Sequence, residues 1–201
     1  MHEDYYYNRL TYFDTDARRV GWKSVEAQQI RFEKLGQVIT GESFVVHDVG
    51  CGIGDFALFL QEHLKVPFQY VGYDILPDMI TEARRKYEKW ENVRFEQIEV
   101  ATQIEKADYT IACGIFNLRY GYSDEQWLAY LLETVTTMNQ KSSKGFAFNV
   151  LTKYTATTDR NIDLYYADVC FLFDYCKQNF SENVALLHDY GYEDCTILVR
   201  K

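Results

Sequence analysis

From Phe44 onward the chain alternates between short apolar runs and longer amphipathic stretches. Ser43 to Val49 (SFVVHDV) reads as a first strand, followed by a glycine-rich turn and a helix over Phe56 to Leu64. Gln69 to Tyr73 reads as a second strand. Pro77 then opens a helix from Asp78 to Lys89, at the first helical position, where a missing N–H costs nothing. Val93 to Ile98 and Tyr109 to Cys113 predict the third and fourth strands, Asp124 to Met138 a helix, and Gly145 to Leu151 a fifth strand. Strands alternating with helices at this spacing predict an α/β fold with a parallel, doubly wound sheet. The tail breaks the alternation. Val184 to His188 and Cys195 to Arg200 are β runs separated only by DYGYED, too short for a crossover helix, so they must be antiparallel. Upstream, Ser24 to Ile39 places Val25, Ala27, Ile30, Phe32, Leu35 and Val38 at loosely helical spacing, and this helix is expected to lie over the sheet.

Composition narrows the function classes. With 201 residues, 47% apolar, and no repeat or Pro/Gly/Ser-rich linker, the chain reads as one domain able to bury its own core. A net charge of −9 argues against nucleic acid, whose phosphates call for a basic stripe. No stretch approaches 18 apolar residues, so no membrane-spanning helix is expected. The start, MHEDYYYNRL, lacks the basic segment and apolar run of a signal peptide, and the expected location is the cytoplasm. Five cysteines without a CxxC, and no histidine at zinc-like spacing, lead us to expect neither structural disulfides nor a metal site. The 17 tyrosines stand out, because every buried hydroxyl needs a partner.

The chemistry concentrates in VVHDVGCGIGDFALFL, where a strand runs into Gly50, Gly52 and Gly54 and a helix follows. Glycine serves there by taking unusual φ and letting a ligand approach the backbone. A dinucleotide fingerprint would need a glycine at 55, where Asp55 stands, and an acid at a helix N-terminus repels pyrophosphate. A P-loop lacks its G-K-[ST]. What remains is a ligand with a positive or zwitterionic group and no phosphate. Twenty residues after Gly54, Asp74 ends the second strand, where an acid reaches ribose hydroxyls. As local features alone, the glycines could form an ordinary strand–helix turn and Asp74 could cap the helix entered through Pro77.

With Asp48 to Asp55 (D-V-G-C-G-I-G-D), Asp74 and an antiparallel final strand, the sequence resembles the class I S-adenosylmethionine-dependent methyltransferases. The resemblance covers about residues 40 to 201. It implies a Rossmann-like seven-stranded sheet in order 3-2-1-4-5-7-6, with residues 1–40 as an arm and helix covering the active site and 41–201 as the cofactor-binding unit of one structural domain. It further implies that Gly50, Cys51, Gly52 and Gly54 line the methionine part of S-adenosylmethionine and that Asp48 holds the ammonium, directly or through water. Asp74 would bind the ribose, Ile75 would flank the adenine, and Glu99 with Val100 would meet the adenine edge; a solvated loop acid is the alternative for Glu99. Cys113, Gly114 and Phe116 would lie at the strand tip near the reactive methyl. S-adenosylhomocysteine would be the product, and no metal is implied.

The acceptor is less legible. Cys113-Gly-Ile-Phe-Asn117 departs from the [DNS]-P-P-[YF] motif of amide and exocyclic-amine methylation. Asp108 sits at the wrong end of its strand for the acidic trio of metal-dependent O-methyltransferases. The chain is also similar to small stand-alone bacterial methyltransferases of sugars and other metabolites, through G-W-K-S…Q…R-F, G-I-F-N, F-N-V-L-T and the ending near His188 to Thr196. That similarity puts Trp22, Gln28 and Arg31 in the pocket, Arg31 pairing the cofactor carboxylate unless it is a solvated helix residue. Phe116, Asn117 and Tyr122 are the expected acceptor contacts, and His188, Asn117 and Tyr120 the catalytic candidates. His47, inside the first strand, reads as a core histidine. The tyrosines at 5, 6, 7, 12, 120, 122, 154, 165, 166, 190 and 192 are among those outside the predicted core elements and suggest an aromatic substrate cover. The expected partner is a small-molecule acceptor, the expected state monomer or homodimer. A cofactor-binding, non-catalytic partner subunit and an aminopropyl transferase are the alternatives on the same fold.

Overall fold

The computed structural model describes residues 16–119, 121–156, 158 and 160–201. Two helices, α1 (Asp16–Arg19) and α2 (Val25–Gly36), precede a sheet of seven strands: β1 (Phe44–Val49), β2 (Phe68–Asp74), β3 (Val93–Gln97), β4 (Ala107–Ala112), β5 (Ser142–Leu151), β6 (Asn183–Leu187) and β7 (Asp194–Arg200). Helices α3 (Asp55–His63), α4 (Pro77–Lys86), α5 (Asp124–Lys141) and α6 (Val169–Asn179) connect them. The strand order is β3-β2-β1-β4-β5-β7-β6. β1 to β5 pair in parallel, whereas β7 runs antiparallel to both β5 and β6. The expected topology is the observed one.

Period-two alternation divides the apolar side chains between two cores, one on each face of the sheet. Phe146, Phe148 and Val150 of β5 and Ile197 and Val199 of β7 face α5 and α6, packing with Leu131, Val135, Leu172 and Cys176. Ala147, Leu198, Tyr109, Ile111 and Val46 face the other way, onto Phe32 and Leu35 of α2 and Phe56 and Leu60 of α3. Local chemistry sets the helix starts: Ser24 caps α2 through Ala27 N–H, and Ser123 with Gln126 forms a capping box on α5. The order of strands reverses between β1 and β4, the switch point at which sheets of this kind bind ligands beyond the strand ends.

Candidate active site

Past Val49 the chain turns through Gly50 (φ 74°) and Gly52 (φ 54°), a left-handed conformation that favours glycine. A Cβ on Gly50 would collide with Ile115, and one on Gly52 would lie 2.9 Å from Val20 Cγ1. The loop's donors point inward. Gly50 and Cys51 N–H both donate to the Tyr73 carbonyl (2.7 and 3.0 Å), Gly52 N–H donates to Asp74 Oδ2 (2.8 Å), and Gly54 N–H donates to the Cys51 carbonyl (3.0 Å). A phosphate cradle turns such groups toward its ligand, so this loop is built for something else. Gly54 departs from its expected role. It caps α3, and a Cβ there would stand 2.6 Å from Phe95 and 2.8 Å from Tyr87, so its bareness serves helix-to-strand packing and it does not line the cleft.

A cleft of about 1140 Å³ opens at the C-terminal ends of β1, β2 and β4. Trp22, Gln28, Arg31, Asp48, Gly50, Cys51, Gly52, Asp74, Ile75, Glu99, Val100, Cys113, Asn117 and Tyr122 all line it. Ile75 and Val100 present half-exposed apolar side chains at one end. Trp22 and Tyr192 stand at another part of the wall, both against Arg31, whose guanidinium carbon lies 4.8 and 4.4 Å from their ring centres.

The acids in this wall differ sharply. Asp48 is buried; Tyr70 O–H donates to its Oδ2 at 2.7 Å, and its Oδ1 has no partner among the described residues. Burial pushes its carboxyl up to about 7, against the Tyr70 hydrogen bond and with help from the neighbouring Asp74 and Asp55 charges. Asp74 accepts from Gly52 N–H at 2.8 Å and Leu76 N–H at 3.0 Å, so it ties the glycine loop to the start of α4 while still lining the cleft. Burial raises its pKa, and those backbone donors hold it down. Asp55 is engaged internally, with Lys86 Nζ at 2.5 Å and Gln28 Nε2 at 3.0 Å. His47 is a core histidine, packed edge-on to Tyr73, with burial lowering its pKa to about 4.

Two acceptor-side expectations and one cofactor-side expectation change. Phe116 is fully buried against Phe148 and Tyr130, because the turn after β4 sends its ring into the α5-side core; the cleft is lined instead by its neighbours Ile115 and Asn117. His188 is exposed beyond the end of β6, at the sheet edge, with its ring 6.3 Å from that of Tyr154 and outside the cleft. Arg31 is neither solvated nor turned to a ligand: Nε and Nη2 grip Asp194 at 2.7 and 2.5 Å, and Nη1 donates to the Ala27 carbonyl. Tyr120 and Tyr5, Tyr6, Tyr7 and Tyr12 lie outside the described residues. Of the other tyrosines assigned to a cover, Tyr122 and Tyr192 line the cleft, whereas Tyr165 is core, Tyr190 bonds Thr196, Tyr166 accepts from Asn161 N–H, and Tyr154 points to solvent. Tyr73 and Tyr130, from predicted elements, line it instead.

One wall segment escaped the sequence reading, and a second was read only through Tyr192. Residues 161–164 fold back onto the stretch after β4: Arg119 N–H donates to the Asp163 carbonyl, its guanidinium to the Ile162 carbonyl, and Tyr165 N–H to the Asn117 carbonyl. This brings Asn161, Asp163 and Leu164 to the cleft. The β6–β7 turn adds Tyr192 and Glu193. Residues 161–164 carry no hydrophobic period or glycine signature that would have marked them.

The donor set suits a cation joined to a nucleoside: an orphaned, buried carboxylate oxygen at Asp48, a second carboxylate at Asp74, a glycine loop open to close approach, and an apolar pair at Ile75 and Val100. Comparisons with known proteins agree. A family model described as a methyltransferase domain matches residues 46–141. Rv1506c of Mycobacterium tuberculosis, a chain named for methyltransferase activity with no acceptor in its name, is 42% identical over 164 residues, 82% of this chain and 97% of its own. In fold, the chain is similar to magnesium protoporphyrin IX methyltransferase (ChlM) from Synechocystis PCC 6803 with bound S-adenosylhomocysteine (TM-score 0.68, 18% identity, 100% of this chain and 98% of that one). It is similar also to the N-methyltransferase NodS from Bradyrhizobium japonicum WM9, again with S-adenosylhomocysteine (TM-score 0.66, 15% identity, 99% and 97% covered). With its topology, its glycine loop and these relatives taken together, the chain belongs to the class I S-adenosylmethionine-dependent methyltransferases.

Proposed function

We propose that this enzyme methylates an oxygen or nitrogen of a small polar acceptor, a sugar or comparable metabolite. The observation that carries the reading is the size and lining of the cleft. At about 1140 Å³ it exceeds the roughly 300–1,000 Å³ typical of single-ligand pockets, so it has room for acceptor and cofactor together. Beyond Cys113 and Gly114 the wall is aromatic and polar, with Trp22, Tyr192, Tyr122, Asn117, Asn161 and Asp163. Arg31, the buried cation in that wall, is already satisfied by Asp194, which favours an acceptor without a strong negative charge.

Asp48 would hold the cofactor's ammonium through its unpartnered oxygen, Asp74 the ribose hydroxyls, and Ile75 with Val100 the adenine, whose edge Glu99 would meet. S-adenosylmethionine, when bound, supplies an electrophilic methyl group on a sulfonium. The chain's own contribution is alignment and exclusion of water: holding an acceptor in near-attack geometry supplies about 7–11 kcal/mol. Asn117 Oδ1 accepts Leu151 N–H at 3.3 Å, leaving its NH₂ to donate to the acceptor. Asp163 and Glu193, from the two late segments, are the carboxylates placed at the cleft to take a proton from a hydroxyl or ammonium acceptor.

The test pairs calorimetry of S-adenosylhomocysteine binding with transfer of labelled methyl to a panel of neutral sugars, amino sugars, carboxylated sugars, amines, proteins and nucleic acids. Transfer confined to sugars or amines supports the reading. Tight cofactor binding with transfer only to protein or nucleic acid overturns it. Asp74→Ala is expected to weaken S-adenosylhomocysteine binding by about one to two orders of magnitude, the scale of a lost buried, charged acceptor; an unchanged Kd removes Asp74 from the cofactor site.

A further inference from the structure

Four side chains and one backbone amide close a ring across five parts of the chain. Gly114 N–H donates to Asn149 Oδ1 at 2.7 Å, and Asn149 Nδ2 donates to Asp194 Oδ2 at 2.7 Å. Asp194 takes Arg31 Nε and Nη2 on its two oxygens. The Arg31 guanidinium lies over the Trp22 ring, and that ring returns to Gly114 so closely that a Cβ there would stand 2.8 Å from Trp22 Cζ2. Asn149 and Asp194 are completely buried and Arg31 nearly so. Asn149 sits near the C-terminal end of β5 and Asp194 opens β7, so the sheet fixes both. Trp22, Arg31 and Gly114 line the cleft from three different segments, and Asn149 and Asp194 hold them from behind it.

A core of this composition is costly to assemble. Burying an ion pair and an amide in place of apolar groups gives little net stability, and often none. Its distinctive product is geometric: every hydrogen bond in the ring has one direction and one length, which fixes the Trp22 ring against the tip of β4.

We infer that Asn149 and Asp194 are positioning residues that, through Arg31, hold Gly114 and Trp22 as adjoining walls where the cofactor's methyl group sits. This rests on the cofactor orientation proposed above, with its methionine half at Asp48. The ring thereby couples the helix over the cleft, α2, to the strand tips that present the methyl, and Asn149 acts on the methyl only through Gly114.

The test uses the full chain saturated with S-adenosylmethionine carrying a ¹³C methyl, observed by ¹H–¹³C correlation NMR, with amide hydrogen exchange at Gly114 and calorimetry of S-adenosylhomocysteine. Asn149→Leu, close in volume but without either hydrogen bond, is expected to move the bound methyl resonance and speed Gly114 exchange at least tenfold. Its Kd should stay within about threefold of wild type. Asn149→Leu with an unmoved methyl resonance overturns the inference, as does a Kd weakened more than tenfold, which would make Asn149 a general support of the pocket. If Asn149→Leu does not fold, Trp22→Phe decides: it must move the same resonance and loosen Gly114, and failure on either count overturns the proposal. Asp48→Asn separates the two readings. If it binds cofactor as well as wild type, the assumed orientation is wrong, whatever Asn149 does.

Discussion

Arg31→Met is expected to cost about 3–5 kcal/mol of folding stability, because it leaves a fully buried carboxylate without its cation. Arg31 and Asp194 side chains are 8% and 0% exposed, and the pair is bidentate, so water cannot replace the lost partner. For a chain of this length each kcal/mol shifts Tm by about 2–4 °C, so a fall of roughly 6–20 °C should appear in a calorimetric scan. That is a large share of the roughly 5–15 kcal/mol that a domain has in total. The double variant Arg31→Met with Asp194→Leu should recover most of the loss, since an apolar pair of similar volume can replace a buried ion pair at little cost. The recovery will be incomplete, because Asn149 Nδ2 also loses its acceptor. A Tm for Arg31→Met within about 2 °C of wild type would show that the pair is not closed in solution.

The same pair shows where the sequence stops being readable. Asp48, Gly50, Gly52 and Asp74 were legible because local rules place them: a strand, a turn needing positive φ, and an acid at the next strand tip. The sheet was legible because its strands are short apolar runs and its last two are too close for a crossover. Arg31 and Asp194 are 163 positions apart, and nothing local couples them. The polar residues are nonetheless conspicuous afterwards, as a lone amide within GFAFNVL and a lone acid opening DCTILVR. Phe116 and His188 failed for a related reason: a side chain's direction after a strand end depends on the turn it enters. The turn after β4 sends Phe116 inward, and β6 ends at the sheet edge, away from the cleft. Helix α6 was passed over because VCFLFDYCKQN is apolar nearly all round its first two turns, without the stripe that marks a surface helix.

Asp48→Asn is expected to stabilise the empty enzyme at pH 8 while abolishing tight cofactor binding. In the folded chain the Asp48 carboxyl titrates at about 7, against an ordinary value of 3.8. A carboxyl that holds its proton more tightly when folded favours folding least where it must ionise. Its contribution is harmless below pH 4, becomes unfavourable as pH rises from about 4 to 7, and levels off above 7 at about 4 kcal/mol, three pKa units at about 1.4 kcal/mol each. Asparagine removes that cost, so its Tm advantage should be present at pH 8 and vanish near pH 4. The cost exists because Oδ1 is buried without a partner, and a bound ammonium would supply one. Affinity for S-adenosylhomocysteine should therefore rise about tenfold between pH 5.5 and 7, as the ionised fraction of Asp48 climbs from a few per cent to about half. Binding at pH 6 should release a proton, measurable by calorimetry in buffers of different ionisation enthalpy. Tyr70→Phe removes the hydrogen bond that favours the charged form and so moves the midpoint above 7. Its loss of affinity will then be larger at pH 7 than at pH 8, whereas damage to the pocket alone would weaken binding equally at both. A flat pH profile for the wild type, or an Asp48→Asn variant that binds as tightly, would mean that this carboxylate does not meet the cofactor's positive charge.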